Sequence, residues 1–119
     1  MGIVLVTGGA GFIGSHIVQQ LLDQGAIVRV LDDLSSGKRA NLPQSHSRLE
    51  FIEGSITDRD TVEQSCSGVD AVIHLAALVS VPFSIEVPEK SAEVNVTGFL
   101  NILNCLKGQR FNGRLLYAS

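Results

Sequence analysis

A glycine-rich stretch close to the first residue constrains the fold of this chain more than any other feature. Residues 7–14 read TGGAGFIG and follow the continuous apolar run IVLV at residues 3–6. A run of this kind is typical of a strand buried on both faces. Glycine has no Cβ, so the backbone after the strand is free to turn sharply and to lie close to a ligand. The stretch predicts a strand, a tight turn and the start of a helix.

The glycine spacing assigns a separate task to each of three positions. Gly8 is expected to make the turn, Gly11 to let the backbone approach phosphate groups, and Gly14 to bring the following helix close to the sheet. The first N–H groups of a helix have no acceptor within it and carry a partial positive charge. This arrangement is typical of a site for an anionic phosphate, and in a strand–turn–helix unit for a dinucleotide.

The helix after the turn and the strand that follows it complete the unit. Ile13, Ile17 and Leu21 recur at helical spacing, with Val18 and Leu22 beside them, and Gly25 is placed to end the helix. We expect these residues to form the apolar face of the helix. The second apolar run, IVRVL at residues 27–31, then leads directly to an acidic residue.

Asp32 at the end of this second strand indicates which dinucleotide is bound. It stands 18 residues after Gly14, near the position where such units place a carboxylate that accepts hydrogen bonds from the adenosine ribose. A 2′-phosphate would meet that negative charge, which favours NAD over NADP. Lys38 and Arg39 lie nearby in the sequence, and a rearranged loop bringing one of them to a 2′-phosphate is the alternative. Without the surrounding unit, Asp32 and Asp33 would be interpreted as turn residues.

The rest of the chain continues to alternate strands with helices. The pattern Thr57-Asp58-Arg59-Asp60 is typical of a helix start, and Gly68 is expected to end that short helix. The remaining predicted elements are strands at 49–52, 71–77 and 114–118 and a helix from about 88 to 107. This alternation predicts an α/β fold with a doubly wound parallel sheet in the order 3-2-1-4-5, as one domain over residues 1–119.

Composition excludes several classes of protein and partner. No apolar run reaches the ~18 residues that a membrane helix needs, and the net charge of −3 gives no general attraction to nucleic acid. We therefore expect neither a membrane nor a nucleic-acid partner. Cys66 and Cys105 form no paired motif, so we expect reduced thiols and no metal site. His74 is interpreted as a packed histidine at the end of a buried strand.

Four separated motifs resemble those of the extended short-chain dehydrogenase/reductases. They are the TGGAGFIG stretch, Asp32, the sequence HLAA at residues 74–77 and NVTG at residues 95–98. Within that family, the segment VSVPFSI at 79–85 is most similar to nucleotide-sugar 4-epimerases, those of UDP-glucose and UDP-N-acetylglucosamine. The resemblance covers the whole chain but only the first part of such an enzyme. It implies a Rossmann fold truncated after the fifth strand.

The resemblance also implies roles for individual residues around NAD and the sugar. Ser55 stands where relatives usually carry an aspartate beside the adenine, and Asn95 resembles a helix asparagine near the active site. The residues expected to bind the cofactor are Gly8, Gly11, Phe12, Ile13, Gly14, Asp32, Ser36, Gly37, Ser55, Ile56, Leu75, Ala76, Ala77 and Asn95. Ser80 and Val81 are expected to border the sugar of the substrate.

The implied activity is the interconversion of UDP-hexoses through a transient 4-keto intermediate, with NAD held tightly. The family places its proton-transfer groups in a Tyr-x-x-x-Lys pair, whereas the single tyrosine here, Tyr117, lies in the fifth predicted strand. We therefore assign no catalytic residue and expect these 119 residues alone to be inactive. The full-length protein is expected to be a cytoplasmic homodimer. The alternatives are a nucleotide-sugar 4,6-dehydratase or reductase, and a non-catalytic NAD(P)-sensing protein.

Overall fold

The computed structural model contains a parallel sheet with helices on both of its faces. It describes residues 2–35, 37–75, 88–109 and 113–117. Within these residues, five strands pair in the order β3-β2-β1-β4-β5, and every neighbouring pair is parallel. The predicted doubly wound topology is therefore confirmed. Among the described residues, no helix is both long and apolar enough to cross a membrane.

The elements follow one another in the predicted alternation. The first half of the chain contains β1 (Ile3–Thr7), α1 (Phe12–Asp23), β2 (Ile27–Asp32), a short 3-10 helix (Arg39–Asn41) and β3 (Leu49–Glu53). The second half contains α2 (Arg59–Cys66), β4 (Ala71–His74), α3 (Pro88–Gly108) and β5 (Arg114–Tyr117).

Alternating side chains of the central strands build two separate apolar layers. On one face, Val4, Val6 and Val30 pack with Val18 and Leu22 of α1. The opposite layer contains residues from the sheet and from both α2 and α3: Leu5, Leu31, Val72, Val62, Cys66, Ile102 and Leu106. This period of two is the normal consequence of strand geometry when both faces are covered.

Two expectations about the helix starts are wrong. Ile13 is 67% exposed, and the buried stripe of α1 is Gly14, Val18 and Leu22. Phe12 and Ile13 lie on the exposed side of the first turn of α1, whereas Gly14 of the same turn lies against Gly8 and Gly9. The helix-start pattern at 57–60 is displaced by one residue, because Asp58 caps α2 whereas the Thr57 hydroxyl pairs with Ser55.

The carboxyl ends of four strands are joined by hydrogen bonds that continue past the regular sheet. Gly8 donates its N–H to Leu31 O at 2.8 Å, Gly54 to Asp32 O at 3.1 Å, and Leu75 to Thr7 O at 3.0 Å. These bonds fix the first residue after β1, β3 and β4 against the neighbouring strand. The turns that leave this edge therefore start from a rigid base.

Candidate dinucleotide site at the carboxyl edge of the sheet

The glycine-rich turn (residues 8–11) connects β1 to α1 with the geometry that its sequence predicts. Gly8 has φ of 73°, a left-handed conformation that L side chains rarely adopt, and Gly11 N–H closes the turn on Gly8 O at 3.2 Å. A Cβ added to Gly14 would lie 2.3 Å from Gly8 O and 2.8 Å from Gly9 Cα. Position 14 therefore requires glycine, because its backbone lies against the backbone of the turn.

The N-terminus of α1 presents free backbone donors beside this turn. Gly11 is its N-cap residue and supplies no side-chain acceptor, and the first bond into the helix is from Ser15 N–H to Gly11 O at 2.9 Å. Within the described part of the chain, the N–H groups of Phe12, Ile13 and Gly14 have no acceptor. The side chains of Phe12 and Ile13, which flank these donors, are 78% and 67% exposed. Such a terminus favours an anion.

The Asp32 carboxylate lies at the end of β2, against the back of the glycine-rich turn. Its Oδ2 accepts from Ala10 N–H at 2.9 Å and its Oδ1 from Leu34 N–H at 2.7 Å, and the residue is 6% exposed. Each oxygen retains a second lone pair, which is the capacity needed to accept from a ribose hydroxyl. Asp32 also holds Leu34 at φ of 62°, a conformation that costs a leucine about 1–2 kcal/mol.

Arg39 is engaged elsewhere, which bears on the alternative cofactor. Its guanidinium carbon lies 5.0 Å from the centre of the Phe51 ring, and its NH1 donates to Pro43 O at 3.1 Å. The neighbouring Lys38 uses its backbone N–H on Ala10 O. Recruiting Arg39 to a 2′-phosphate would require breaking both of its contacts.

Ser55 and Ile56 follow β3 at the same edge, in the β3–α2 turn (residues 54–58). The Ser55 hydroxyl pairs with Thr57 Oγ1 at 2.7 Å and accepts from Thr57 N–H at 3.1 Å. Ile56 is 5% exposed and its side chain packs where Gly98 of α3 leaves space. An adenine here would meet little of the Ile56 side chain, so the predicted contact depends mainly on backbone and on Ser55.

The ends of β1 and β4 are linked through a buried histidine. Thr7 Oγ1 lies 2.7 Å from His74 Nδ1 and also accepts from Leu75 N–H at 3.0 Å. Burial lowers the pKa of His74 from its ordinary 6.5. The neutral, packed form is therefore favoured, which agrees with the interpretation of His74 as a core residue. Leu75 begins the segment that leaves β4 at this edge.

The two cysteines show no sign of nucleophilic activation. Burial raises the pKa of Cys66 to about 12, and Cys105 Sγ lies 3.8 Å from both Val62 O and Glu63 O across the contact of α2 with α3. Burial also raises the pKa of Cys105. Both cysteines are free thiols, and a protonated thiol is a poor nucleophile.

The predicted site residues that the structure describes meet at one edge. The glycine-rich turn, Asp32, Gly37, the β3–α2 turn and Leu75 all follow the carboxyl ends of adjacent strands. Asn95 falls within α3. The remaining expected site residues lie outside the described residues: Ser36, Ala76, Ala77, Ser80 and Val81.

Sequence reasoning missed two asparagines that hold the turns of this edge. Asn41 Nδ2 donates to Ala10 O at 2.8 Å, and Asn101 Nδ2 donates to Ile56 O at 2.9 Å. The accepting carbonyl is 31 residues away along the chain for Asn41 and 45 residues away for Asn101. No local pattern signals such a partner, since an exposed loop asparagine and a helix asparagine are both ordinary.

These residues fit a dinucleotide. Among the described residues, a Cβ at Gly11 would meet only Gly8 O, at 3.4 Å, next to the free donors of α1. A carboxylate with spare acceptor capacity stands at the next strand. Residues 4–119 match the model of the NAD dependent epimerase/dehydratase family.

The chain belongs to the NAD-dependent epimerase/dehydratase family. The resemblance inferred from the motifs is thereby confirmed, and so is the implied dependence of the family on NAD. Members of this family are enzymes. The chain is 41% identical over 106 residues to a putative UDP-glucose 4-epimerase of Methanocaldococcus jannaschii, covering 88% of the chain and 34% of that protein.

Other relatives show how widely this N-terminal part of the family is shared. The chain is 38% identical over 124 residues to a 3 beta-hydroxysteroid dehydrogenase/Delta 5→4-isomerase of Mycobacterium tuberculosis, covering 100% of the chain and 32% of that protein. The crystal structure of a Thermus thermophilus UDP-glucose 4-epimerase in complex with NAD superposes with a TM-score of 0.85 at 42% identity, covering 94% of the chain and 36% of that structure. The chain spans about a third of the length of the curated relatives it matches.

Proposed function

We propose that this chain forms the NAD-binding part of a nucleotide-sugar 4-epimerase that interconverts UDP-hexoses. The observation that carries the proposal is the uncapped N-terminus of α1 beside the Asp32 carboxylate. The similarity to UDP-glucose 4-epimerases, one of them solved with NAD, supports both the cofactor and the class of reaction.

The described residues would hold successive parts of the cofactor. The N–H groups of Phe12, Ile13 and Gly14 would donate to the pyrophosphate, and Asp32 would accept from the adenosine ribose. Ser55 would hydrogen-bond the adenine, with the backbone of Ile56 beside it. Leu75 starts the segment proposed to run toward the nicotinamide, with Asn95 of α3 further along. Bound NAD supplies a hydride acceptor and donor for the oxidation and reduction of the sugar.

The chain's own contribution is to bind and orient the cofactor. A proton must leave the sugar hydroxyl as the hydride leaves its carbon, and this needs a base within hydrogen-bond reach. The one tyrosine of the sequence, Tyr117, is part of β5. We therefore propose that these 119 residues bind NAD without turnover. The homodimeric state and the cytoplasmic location of the full-length protein remain parts of the proposal.

A nucleotide-sugar 4,6-dehydratase is the second candidate, because the matched family includes dehydratases as well as epimerases. A full-length protein containing this chain distinguishes the two. Interconversion of UDP-glucose and UDP-galactose, with or without N-acetyl groups, supports the epimerase. Release of a 4-keto product supports the dehydratase. Oxidation of a 3 beta-hydroxysteroid with neither activity would contradict the proposed substrate class.

Calorimetric titration of the chain with NAD and with NADP tests the proposed cofactor. We expect tighter binding of NAD, because the 2′-phosphate of NADP would approach Asp32 while Arg39 remains on Phe51. Asp32→Ala should weaken the binding of NAD and reduce the preference for NAD over NADP. The charge-matched control Asp23→Ala, at the far end of α1, should leave the affinities for both dinucleotides unchanged. Equal or tighter binding of NADP by the wild-type chain would contradict the role of Asp32.

A further inference from the structure

Ala10 is the point at which the glycine-rich turn is fastened to the connection between β2 and β3. Its N–H donates to Asp32 Oδ2 at 2.9 Å. Its carbonyl accepts twice, from Lys38 N–H at 3.0 Å and from Asn41 Nδ2 at 2.8 Å. Because Ala10 is fully buried, water does not replace a lost partner easily. Both polar groups of this one residue are thus held by a separate segment of the chain.

The backbone of the connection touches the turn directly. A Cβ added to Gly37 would lie 2.6 Å from Ala10 C and 2.8 Å from both Ala10 O and Gly11 N. The contact is therefore backbone against backbone, as close as glycine permits. The turn and this part of the connection move as one unit while the hydrogen bonds to Ala10 persist.

Among the groups that hold Ala10, Asn41 differs from the rest. Lys38 acts through its backbone, and Asp32 is itself a proposed ligand of the ribose. Asn41 is an exposed residue at the end of the 3-10 helix, and only its amide nitrogen is able to donate to a carbonyl. Its side chain reaches the glycine-rich turn from the β2–β3 connection and donates to the Ala10 carbonyl.

We infer that Asn41 is a positioning residue for the pyrophosphate of the dinucleotide, acting through the Ala10 carbonyl. The inference rests on the proposed NAD binding. A turn of glycines has much conformational freedom to lose, so holding it in the bound shape before the ligand arrives strengthens binding. Asn41 supplies a part of that order through its hydrogen bond to Ala10 O.

The test compares ligands with and without a pyrophosphate. In Asn41→Ala and Asn41→Asp, we expect NAD and ADP-ribose to bind about three- to tenfold more weakly, which is the effect of one lost hydrogen bond. The affinity for adenosine should stay within about twofold, since it lacks the phosphates that the turn contacts. Gln44→Ala removes an exposed amide from the same connection and should change neither affinity.

A general loss of structure would weaken NAD and adenosine alike, so the ratio of the two affinities separates positioning from damage. The inference is overturned if the NAD affinity of both Asn41 variants equals that of the wild type. It is also overturned if the affinity for adenosine falls by the same factor as that for NAD. A wild-type chain that binds neither NAD nor ADP-ribose would instead overturn the proposed function.

Hydrogen exchange without ligand tests the same inference independently of cofactor binding. The amides of Ala10 and Gly11 are hydrogen-bonded within the fastened turn, so they should exchange several-fold faster in Asn41→Ala than in the wild type. The amides of β1 and β2 should be unaffected. Equal exchange at Ala10 in the two proteins would show that Asn41 does not order the turn.

Discussion

Two of the turns that leave the carboxyl edge of the sheet lead directly into helices, and the N-termini of those helices differ. The glycine-rich turn leads into α1 without a capping side chain, so three backbone donors remain free in the described structure. The β3–α2 turn ends at Asp58, whose Oδ1 accepts from Asp60 N–H at 3.1 Å and Thr61 N–H at 3.4 Å. The first amides of α2 have a side-chain acceptor, whereas those of α1 have none among the described residues.

The means of support differ between the turns as well. The glycine-rich turn is held from behind by Asp32 and Asn41. The β3–α2 turn is held by its own Ser55 and Thr57 hydroxyls and by Asn101 of α3. The comparison shows that glycine at the N-cap position leaves α1 without the kind of side-chain cap that Asp58 gives to α2. Of these two helices, α1 is the one with the open terminus, and the following changes test it in order of expected effect.

Gly14→Ala should have the largest effect, since it attacks the close approach on which the glycine-rich turn depends. The new Cβ would meet backbone atoms of Gly8 and Gly9, which have no side chain to move aside. We expect a loss of about 3 kcal/mol in the free energy of unfolding, measured by urea denaturation. Gly11→Ala is the matched control, because open space lies around its Cβ. Similar stability of the two variants would contradict the close approach.

Gly11→Asp should convert the N-terminus of α1 into a copy of that of α2. The N-cap residues of both helices have extended backbones, with φ of −75° at Gly11 and −88° at Asp58. A carboxylate there would occupy the free donors and repel phosphate. We expect NAD affinity to fall at least about 100-fold, with stability unchanged or raised by a few tenths of a kcal/mol. Calorimetry and thermal unfolding measure the two effects, and undiminished NAD binding would refute the proposed anion site.

Asp58→Ala is the reciprocal change at the second turn. Loss of the cap should lower the free energy of unfolding by about 1 kcal/mol, because two amides of α2 lose their acceptor. NAD affinity should remain that of the wild type. If the variant lost NAD binding while remaining folded, the division of labour between the two turns would be wrong.

The smallest expected effect is the one that His74→Asn has on how stability changes with pH. Burial lowers the pKa of His74 below 6.5, so the unfolded chain takes up this proton at a higher pH than the folded chain does. The contribution of neutral His74 to stability is therefore complete above 6.5 and declines as the pH falls through the folded pKa. Between about pH 7 and pH 5, wild-type stability should fall more steeply than that of His74→Asn. Parallel denaturation curves would contradict this linkage.

Most of the framework of the site follows from local sequence. Apolar runs at the period of buried strands predict the sheet, and the glycine spacing with Asp32 predicts the turn and its acidic neighbour. The same reasoning misplaces the cap of α2, because Thr57 and Asp58 are both good caps and the hydroxyl of Thr57 is already paired with Ser55. It also misplaces Ile13, since helical spacing groups residues on one face but does not tell which residues of the first turn are buried.

The asparagines that hold the two turns could not be predicted from local sequence, for a different physical reason. Asn41 and Asn101 bind backbone carbonyls that become neighbours only when the sheet is assembled. A carbonyl carries no signature of its residue type, so the sequence contains no complementary side chain to match. The fastening of Ala10 is therefore visible only in three dimensions.

Backbone amide NMR of the wild-type chain during NAD titration tests the central comparison most directly. The amide resonances of Phe12, Ile13 and Gly14 should show the largest shifts and saturate with the binding isotherm. Those of Asp60 and Thr61, already bonded to Asp58, should shift little. NAD that binds while leaving the α1 amides unmoved, or that shifts the α2 amides equally, would contradict the account.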